Sequence, residues 1–125
     1  MFSEHHPKLH YISLKNAWQG VIFAAKTQRN FRLEVTAGGL AVVLGYYLEF
    51  SLYEMAVVFA LIFLVVGFEL LNTAIEAVVD SVHIEENNLA RISKDAAAAA
   101  VLLISLLAAV IGIVLFLPPI IARFF

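Results

Sequence analysis

Residues 55–80 read MAVVFALIFLVVGFELLNTAIEAVVD, an apolar run that ends in five polar or acidic side chains. The whole chain has 125 residues, 62% of them hydrophobic, and a mean hydropathy of +0.92. A soluble domain of this size could not bury so much apolar surface. The composition therefore predicts an all-α integral membrane protein, with the quoted stretch as one of its membrane-spanning helices.

Three apolar segments are long enough, or nearly so, to cross a hydrocarbon core of about 30 Å at about 1.5 Å per residue. They comprise residues 33–48, 53–79 and 96–117. Small residues are frequent in these segments and allow helices to approach closely in lipid. We therefore expect three transmembrane helices in a single domain that covers residues 1–125.

The segments on either side of these spans have a different character. Residues 14–30 form an amphipathic pattern in which Trp18 and two lysines, Lys15 and Lys26, are typical of a helix at the membrane interface. Residues 1–11 are expected to form a polar tail. Pro118 and Pro119 are expected to end the last helix, because proline removes a backbone donor and clashes with the preceding turn.

Basic residues predict how the chain is oriented. They lie before the first span and between the second and third spans, at Lys15, Lys26, Arg29, Arg32, Arg91 and Lys94. The loop between the first two spans has none, and Arg123 is an exception near the C-terminus. The positive-inside rule then places the N-terminus and the loop at residues 81–94 in the cytoplasm.

The polar side chains at the end of the quoted stretch share one helical face. At 100° per residue this face holds Glu69, Asn72, Thr73, Glu76 and Asp80. Ionisable groups inside a span are costly and normally mark a site or a pathway. For Asp80 alone, a position among the lipid headgroups is the simpler interpretation. Glu69, Asn72 and Glu76 together predict a functional site.

Spacing separates the roles of the two glutamates. Seven helical residues, or about 10 Å, lie between Glu69 and Glu76, too far for both to hold one small ion. The deeper Glu69 suits a general base, and Glu76, nearer the cytoplasm, suits a hard cation with oxygen ligands. A position at the cytoplasmic interface would let a water-soluble donor meet a membrane-bound acceptor.

The block ELLNTAIEAVVD at residues 69–80 resembles the signature of the prokaryotic diacylglycerol kinase family. Its members are small membrane enzymes that phosphorylate a lipid hydroxyl with MgATP. The pair Lys94-Asp95 and the AWQG motif at residues 17–20 extend the resemblance, which covers about residues 14–117. It implies ATP as co-substrate, Mg²⁺, the bacterial inner membrane and a homo-oligomer, specifically a trimer.

The resemblance also implies residue roles. Glu69 would be the general base and would contact the lipid with Asn72, while Glu76 would hold Mg²⁺ and the ATP phosphates. Lys94 and Asp95 would bind the nucleotide. Without the resemblance, Ser93 and Asp95 would be interpreted as ordinary residues of a helix N-terminus.

Some positions depart from the family pattern. Gln28 stands where the family usually has a second metal-binding glutamate, so it remains a candidate for the metal and nucleotide without a charge. Glu34 lies too far along the chain to replace it in the same geometry. Glu85, in a polar loop, is a further nucleotide candidate. The stretch RNFR at residues 29–32 is closer to the branch that phosphorylates undecaprenol.

Two other functional classes compete with a lipid kinase. A small transporter or proton-relay protein would also need buried carboxylates, but it gives no reason for Lys94-Asp95 or for an interfacial helix. An inactive relative would be explained by Gln28. The chain has no cysteine, which excludes thiolate chemistry, and its net charge of −2 gives no reason to expect nucleic acid.

Overall fold

The structure, a computed structural model, describes residues 7–82 and 87–125, with side chains from residue 13 onward. This part of the chain is entirely helical apart from short connections. The helices are α1 (Pro7–Thr27), α2 (Arg29–Tyr47), α3 (Leu52–Val82) and α4 (Asn88–Phe124). Helix α3 is central, because it packs most extensively on α4, next on α2, and also contacts α1.

Within the described ranges, two helices are long and apolar enough to cross a membrane, α3 with 31 residues and α4 with 37. They contain the predicted spans 53–79 and 96–117. Helix α2 has 19 residues, about 28 Å of helix, and is too polar to meet the same criterion. Two of the predicted spans thus lie in helices that are apolar and long enough to cross a membrane, and the span at residues 33–48 stays a prediction.

Helix α1 differs from the predicted interfacial helix at both ends. It begins at Pro7, inside the predicted tail at residues 1–11, and proline suits the first position of a helix because its missing N–H has no partner there. It ends at Thr27 rather than at residue 30, because Gln28 is extended (φ −107°, ψ 112°). The Arg32 guanidinium donates to the carbonyls of Ala25 (2.9 Å) and Lys26 (3.3 Å) and so caps the last turn of α1.

A tight turn joins α2 to α3. Glu49 adopts a left-handed conformation (φ 59°) and ends α2 in the way that residues just after a helix often do. Ser51 and Glu54 then start α3 with a reciprocal capping box. The Ser51 N–H donates to the Glu54 carboxylate (2.7 Å), and the Glu54 N–H donates to the Ser51 hydroxyl (3.2 Å).

Helix α4 starts earlier than its apolar segment. Asn87 caps it, with the side-chain oxygen accepting a hydrogen bond from the N–H of Leu89 at 2.9 Å. Ser93 and Asp95 therefore lie inside the helix, and the interpretation of these residues as a helix N-terminus is wrong.

Helix α4 also continues through Pro118 and Pro119, so the expectation that they end it is wrong. Long-range contacts hold this last part against the end of α2. Phe116 packs on Phe50 with ring centroids 4.7 Å apart, and Arg123 lies 4.5 Å above the ring of Tyr47. This cation–π contact gives a local reason for Arg123, which would lie on the side of the membrane where the other predicted loop has no basic residue.

Gly38 marks the close approach of α2 and α3, and Gly39 offers a matched control. A methyl group at Gly38 would stand 3.0 Å from Cγ2 of Ile62, a stiff β-branched side chain, whereas one at Gly39 would meet nothing within 4 Å. Alanine favours a helix over glycine by about 1 kcal/mol. We expect Gly39→Ala to be the more stable variant by about 1 kcal/mol, because crowding offsets the gain at Gly38.

Unfolding of the two purified variants in detergent micelles, followed by circular dichroism, measures this difference. Equal stabilisation by both alanines would contradict the close packing of α2 on Ile62.

Candidate active site

The polar face of α3 points into the helix assembly, as its spacing predicted. Glu69, Asn72 and Thr73 are 1%, 8% and 6% exposed, and they are the buried polar side chains in the part of the chain that the structure describes. Glu69 is also the largest side chain there that is fully buried. Burial of a carboxyl group is costly unless it is paired or hydrogen-bonded, so the partners of these groups decide their interpretation.

Of these three side chains, only that of Thr73 is hydrogen-bonded to the backbone of its own helix. Its hydroxyl donates to the Glu69 backbone carbonyl at 2.9 Å. Among the described residues, Oε2 of Glu69 and Oδ1 of Asn72 are buried without any hydrogen-bond partner. Each such atom costs about 1–3 kcal/mol. Two such acceptors lie within one turn of helix, and each is able to accept a hydrogen bond from a donor outside the described residues.

Glu34 of α2 is a further carboxylate with a buried oxygen that sequence reasoning did not place near the polar face of α3. Its Oε2 is likewise buried without a partner, and its carboxyl group lies close enough to that of Glu69 for the two to repel each other when charged. Distance along the chain excluded Glu34 as a substitute for the family's second glutamate. A signal was nevertheless present, because Glu34 is an isolated carboxylate inside the predicted span 33–48.

Toward its C-terminus the same face becomes more exposed. The Asn72 side-chain amide donates to Oε1 of the half-buried Glu76 at 3.5 Å, a weak contact. One turn later, Asp80 accepts a hydrogen bond of 2.8 Å from the Lys94 ammonium of α4. That hydrogen bond is the main reason why the pKa of Lys94, which precedes the apolar part of α4, lies above its usual value. The structure thus brings Lys94 to the polar face of α3.

The remaining predicted site residues lie elsewhere or outside the described ranges. Asp95 forms an exposed ion pair with Arg91 one turn earlier in α4, at 3.5 Å. Gln28 is half-buried at the break between α1 and α2, where its side chain does not cap α2. Glu85 lies among residues that the structure does not describe.

An apolar groove of about 290 Å³ opens between α2, α3 and α4, and its lining by α3 ends at Val65, one helical turn before Glu69. Its walls include Ala37, Gly38, Val58, Ile62, Leu115 and Phe116. Glu34 is the charged residue in its lining. The groove therefore combines a long apolar surface, suited to a hydrocarbon chain, with a carboxyl group at the edge of the Glu69 site.

The carboxylates of this region can be considered as ligands for a metal ion. In residues 13–82 and 87–125, no three histidines or carboxylates come together as a metal cluster. Mg²⁺, however, is usually held by one or two protein carboxylates together with substrate phosphates. The half-buried Glu76 carboxylate fits a Mg²⁺ ion that arrives with a nucleotide, and it does not form a metal cage by itself.

Divalent cation binding by the protein alone should accordingly be weak. With Mn²⁺ as a paramagnetic stand-in for Mg²⁺, we expect a dissociation constant of about 1 mM or weaker, because a single carboxylate supplies the charge. Glu76→Gln should abolish this binding, and Glu49→Gln, at the exposed turn after α2, should leave it unchanged. Electron paramagnetic resonance titration measures free Mn²⁺ directly. Micromolar binding by the unaltered protein would show that more carboxylates converge than the geometry implies.

Comparison with known proteins places the chain among membrane lipid kinases. The family model described as prokaryotic diacylglycerol kinase matches residues 15–116. The undecaprenol kinase of Bacillus subtilis is 38% identical over 106 residues, which cover 85% of this chain and 86% of the relative. The diacylglycerol kinase of Escherichia coli K12 is 38% identical over 95 residues, covering 76% and 77% of the two chains.

The diacylglycerol kinase of a Synechocystis species is 41% identical over 112 residues. These cover 89% of this chain but 64% of the longer relative. The matched region contains α2, α3 and the polar face with Glu69, Glu76 and Lys94. The chain belongs to the prokaryotic diacylglycerol kinase family.

Proposed function

We propose that this protein transfers the γ-phosphoryl group of ATP to a hydroxyl group of a membrane lipid. One observation carries the proposal: among the described residues, an oxygen of the buried Glu69 carboxyl has no hydrogen-bond partner, one helical turn beyond Val65, the last α3 residue that lines the apolar groove. The names of the relatives, diacylglycerol kinase and undecaprenol kinase, support the same reaction class. Phosphoryl transfer needs mainly positioning, a base and charge neutralisation, which a small protein can supply.

The lipid would enter from the bilayer. Its hydrocarbon chain would lie in the groove between α2, α3 and α4, and its hydroxyl would reach the edge marked by Glu34. Glu69 would accept the hydroxyl proton as the general base, since a base must lie within hydrogen-bond reach of the proton it takes. Asn72 would accept or donate a hydrogen bond beside it. The single proton of the lipid hydroxyl would thereby satisfy the Glu69 oxygen that has no partner among the described residues.

The nucleotide would bind at the more exposed end of the face. Glu76 would hold Mg²⁺, which neutralises phosphate charge when it is bound, and Lys94 would face the phosphates as a counter-charge. Asp95 would break its ion pair with Arg91 and contact the nucleotide. Gln28 would offer a neutral oxygen in place of a carboxylate. Glu85 is a further nucleotide-binding candidate.

The proposal includes an orientation and an assembly. Helix α2 would be a third, short span, with the N-terminus and the loop at residues 81–94 on the cytoplasmic side of a bacterial inner membrane. Three spans cannot enclose a site by themselves, so the proposal includes a homo-oligomer, and the family resemblance implies a trimer. A proton relay through Glu69 and Glu76 is less well supported, because it leaves the placement of Lys94 at this face unexplained.

Phosphate transfer from labelled ATP tests the proposal. Purified protein in mixed micelles with Mg²⁺ would be offered diacylglycerol and undecaprenol separately. We expect label in at least one lipid, and its complete loss in Glu69→Gln, because the amide cannot accept the hydroxyl proton. The matched control is Thr73→Val, since Thr73 is also buried but its hydroxyl donates to its own helix; this variant should keep most of the activity.

If protein that is shown to be folded labels neither lipid, the proposal that it is a lipid kinase is wrong. Equal loss in Glu69→Gln and Thr73→Val would instead mean that burial at this face, and not the carboxylate, is what the reaction requires.

A further inference from the structure

The ion pair between Asp80 and Lys94 connects the end of the polar face of α3 to α4. The Lys94 Nζ atom donates to Oδ1 of Asp80 at 2.8 Å across 14 residues of chain. The two side chains are 39% exposed for Lys94 and 65% exposed for Asp80. Exposed pairs of this kind contribute little to stability, so a stabilising role does not explain the contact.

Lys94 has a second acidic residue nearby on the same face. Glu76 lies one helical turn before Asp80, the residue that holds the Lys94 ammonium, so neighbouring positions of one helix face carry both carboxylates. A lysine side chain is flexible and has three donors, so it can turn from one carboxylate to the other. A Lys94–Glu76 pair would neutralise the carboxylate that fits a divalent cation.

We propose that Asp80 is a positioning residue that holds the Lys94 ammonium away from Glu76, so that Lys94 faces the nucleotide phosphates while Glu76 stays free for the cation. This inference rests on the proposed function for the roles of Lys94 and Glu76. It gives a role to Asp80, which sequence reasoning assigned to the headgroup region. Asp80 itself touches neither substrate.

The Asp80→Asn variant should therefore bind MgATP more weakly. Without the aspartate charge, Lys94 pairs with Glu76, and cation and nucleotide must displace it. We expect KM for MgATP and the Mg²⁺ concentration for half-maximal activity to rise about tenfold, as for the loss of a charge-assisted hydrogen bond. At saturating MgATP, kcat should stay within about twofold of the unaltered protein, because the base and the lipid site are unchanged.

A double-mutant cycle separates positioning from a general structural effect. In a Lys94→Met background, Asp80→Asn should have no further effect on KM, because there is no ammonium left to misplace. Asp80→Glu should restore most of the affinity by keeping a carboxylate. Glu49→Gln, which removes an exposed carboxylate at the other end of α3, is the control and should change nothing.

Mn²⁺ binding in the presence of a non-hydrolysable ATP analogue provides a readout that needs no phosphate transfer. We expect about tenfold weaker Mn²⁺ binding for Asp80→Asn and recovery in Asp80→Glu. This readout separates the two ideas: absence of lipid labelling by the unaltered protein contradicts the kinase, whereas unchanged Mn²⁺ binding in Asp80→Asn overturns the role of Asp80. The role is also overturned if Asp80→Asn raises KM equally in the Lys94→Met background.

Discussion

The carboxyl group of Glu69 is 1% exposed within a largely apolar helix, and one of its oxygens has no hydrogen-bond partner among the described residues. Much of the structure around it follows from holding that group in place. Helix α3 has 31 residues, so its apolar N-terminal half anchors it in lipid while its polar C-terminal half reaches water. Helices α1, α2 and α4 all pack on α3 and cover this face. An isolated helix would expose the carboxyl group to lipid, which is costly.

The gradient of exposure along α3 gives two substrates different environments. Glu69 and Asn72 are buried beside an apolar groove, whereas Glu76 is half-buried and Asp80 is exposed. In the proposed function, a lipid hydroxyl in apolar surroundings and a nucleotide phosphate in water would meet on this one helix face. In this arrangement positioning supplies most of the catalysis, and the protein needs neither a phosphate-binding loop nor a separate nucleotide domain.

Periodicity and composition predicted the helical class, the two long spans and the inward polar face, because these depend on local pattern. Helix ends were predicted less well. The end of α1 depends on Arg32 reaching back to Ala25, and the continuation of α4 past two prolines depends on contacts of Phe116 and Arg123 with the distant end of α2. Contacts between residues far apart in the chain leave no periodic signal.

In the candidate site, too, local pattern predicted some residues, and contacts between distant residues placed another. Glu69, Asn72 and Glu76 share one helix, so counting residues placed them together. Glu34 reaches Glu69 only because α2 packs closely on α3, with Gly38 against Ile62 one turn further along α2. That juxtaposition is tertiary, and no spacing along a single helix could have revealed it.

The central claim is that the buried Glu69 carboxyl group serves the reaction and lowers the free energy of unfolding. The free energy of unfolding of Glu69→Met, measured in the same micelles as the unaltered protein, tests it most directly. Methionine fills a similar volume without a polar group, so we expect the variant to be more stable by about 1–3 kcal/mol. A variant that is less stable than the unaltered protein would show that the carboxyl group holds the helices together and would contradict the account.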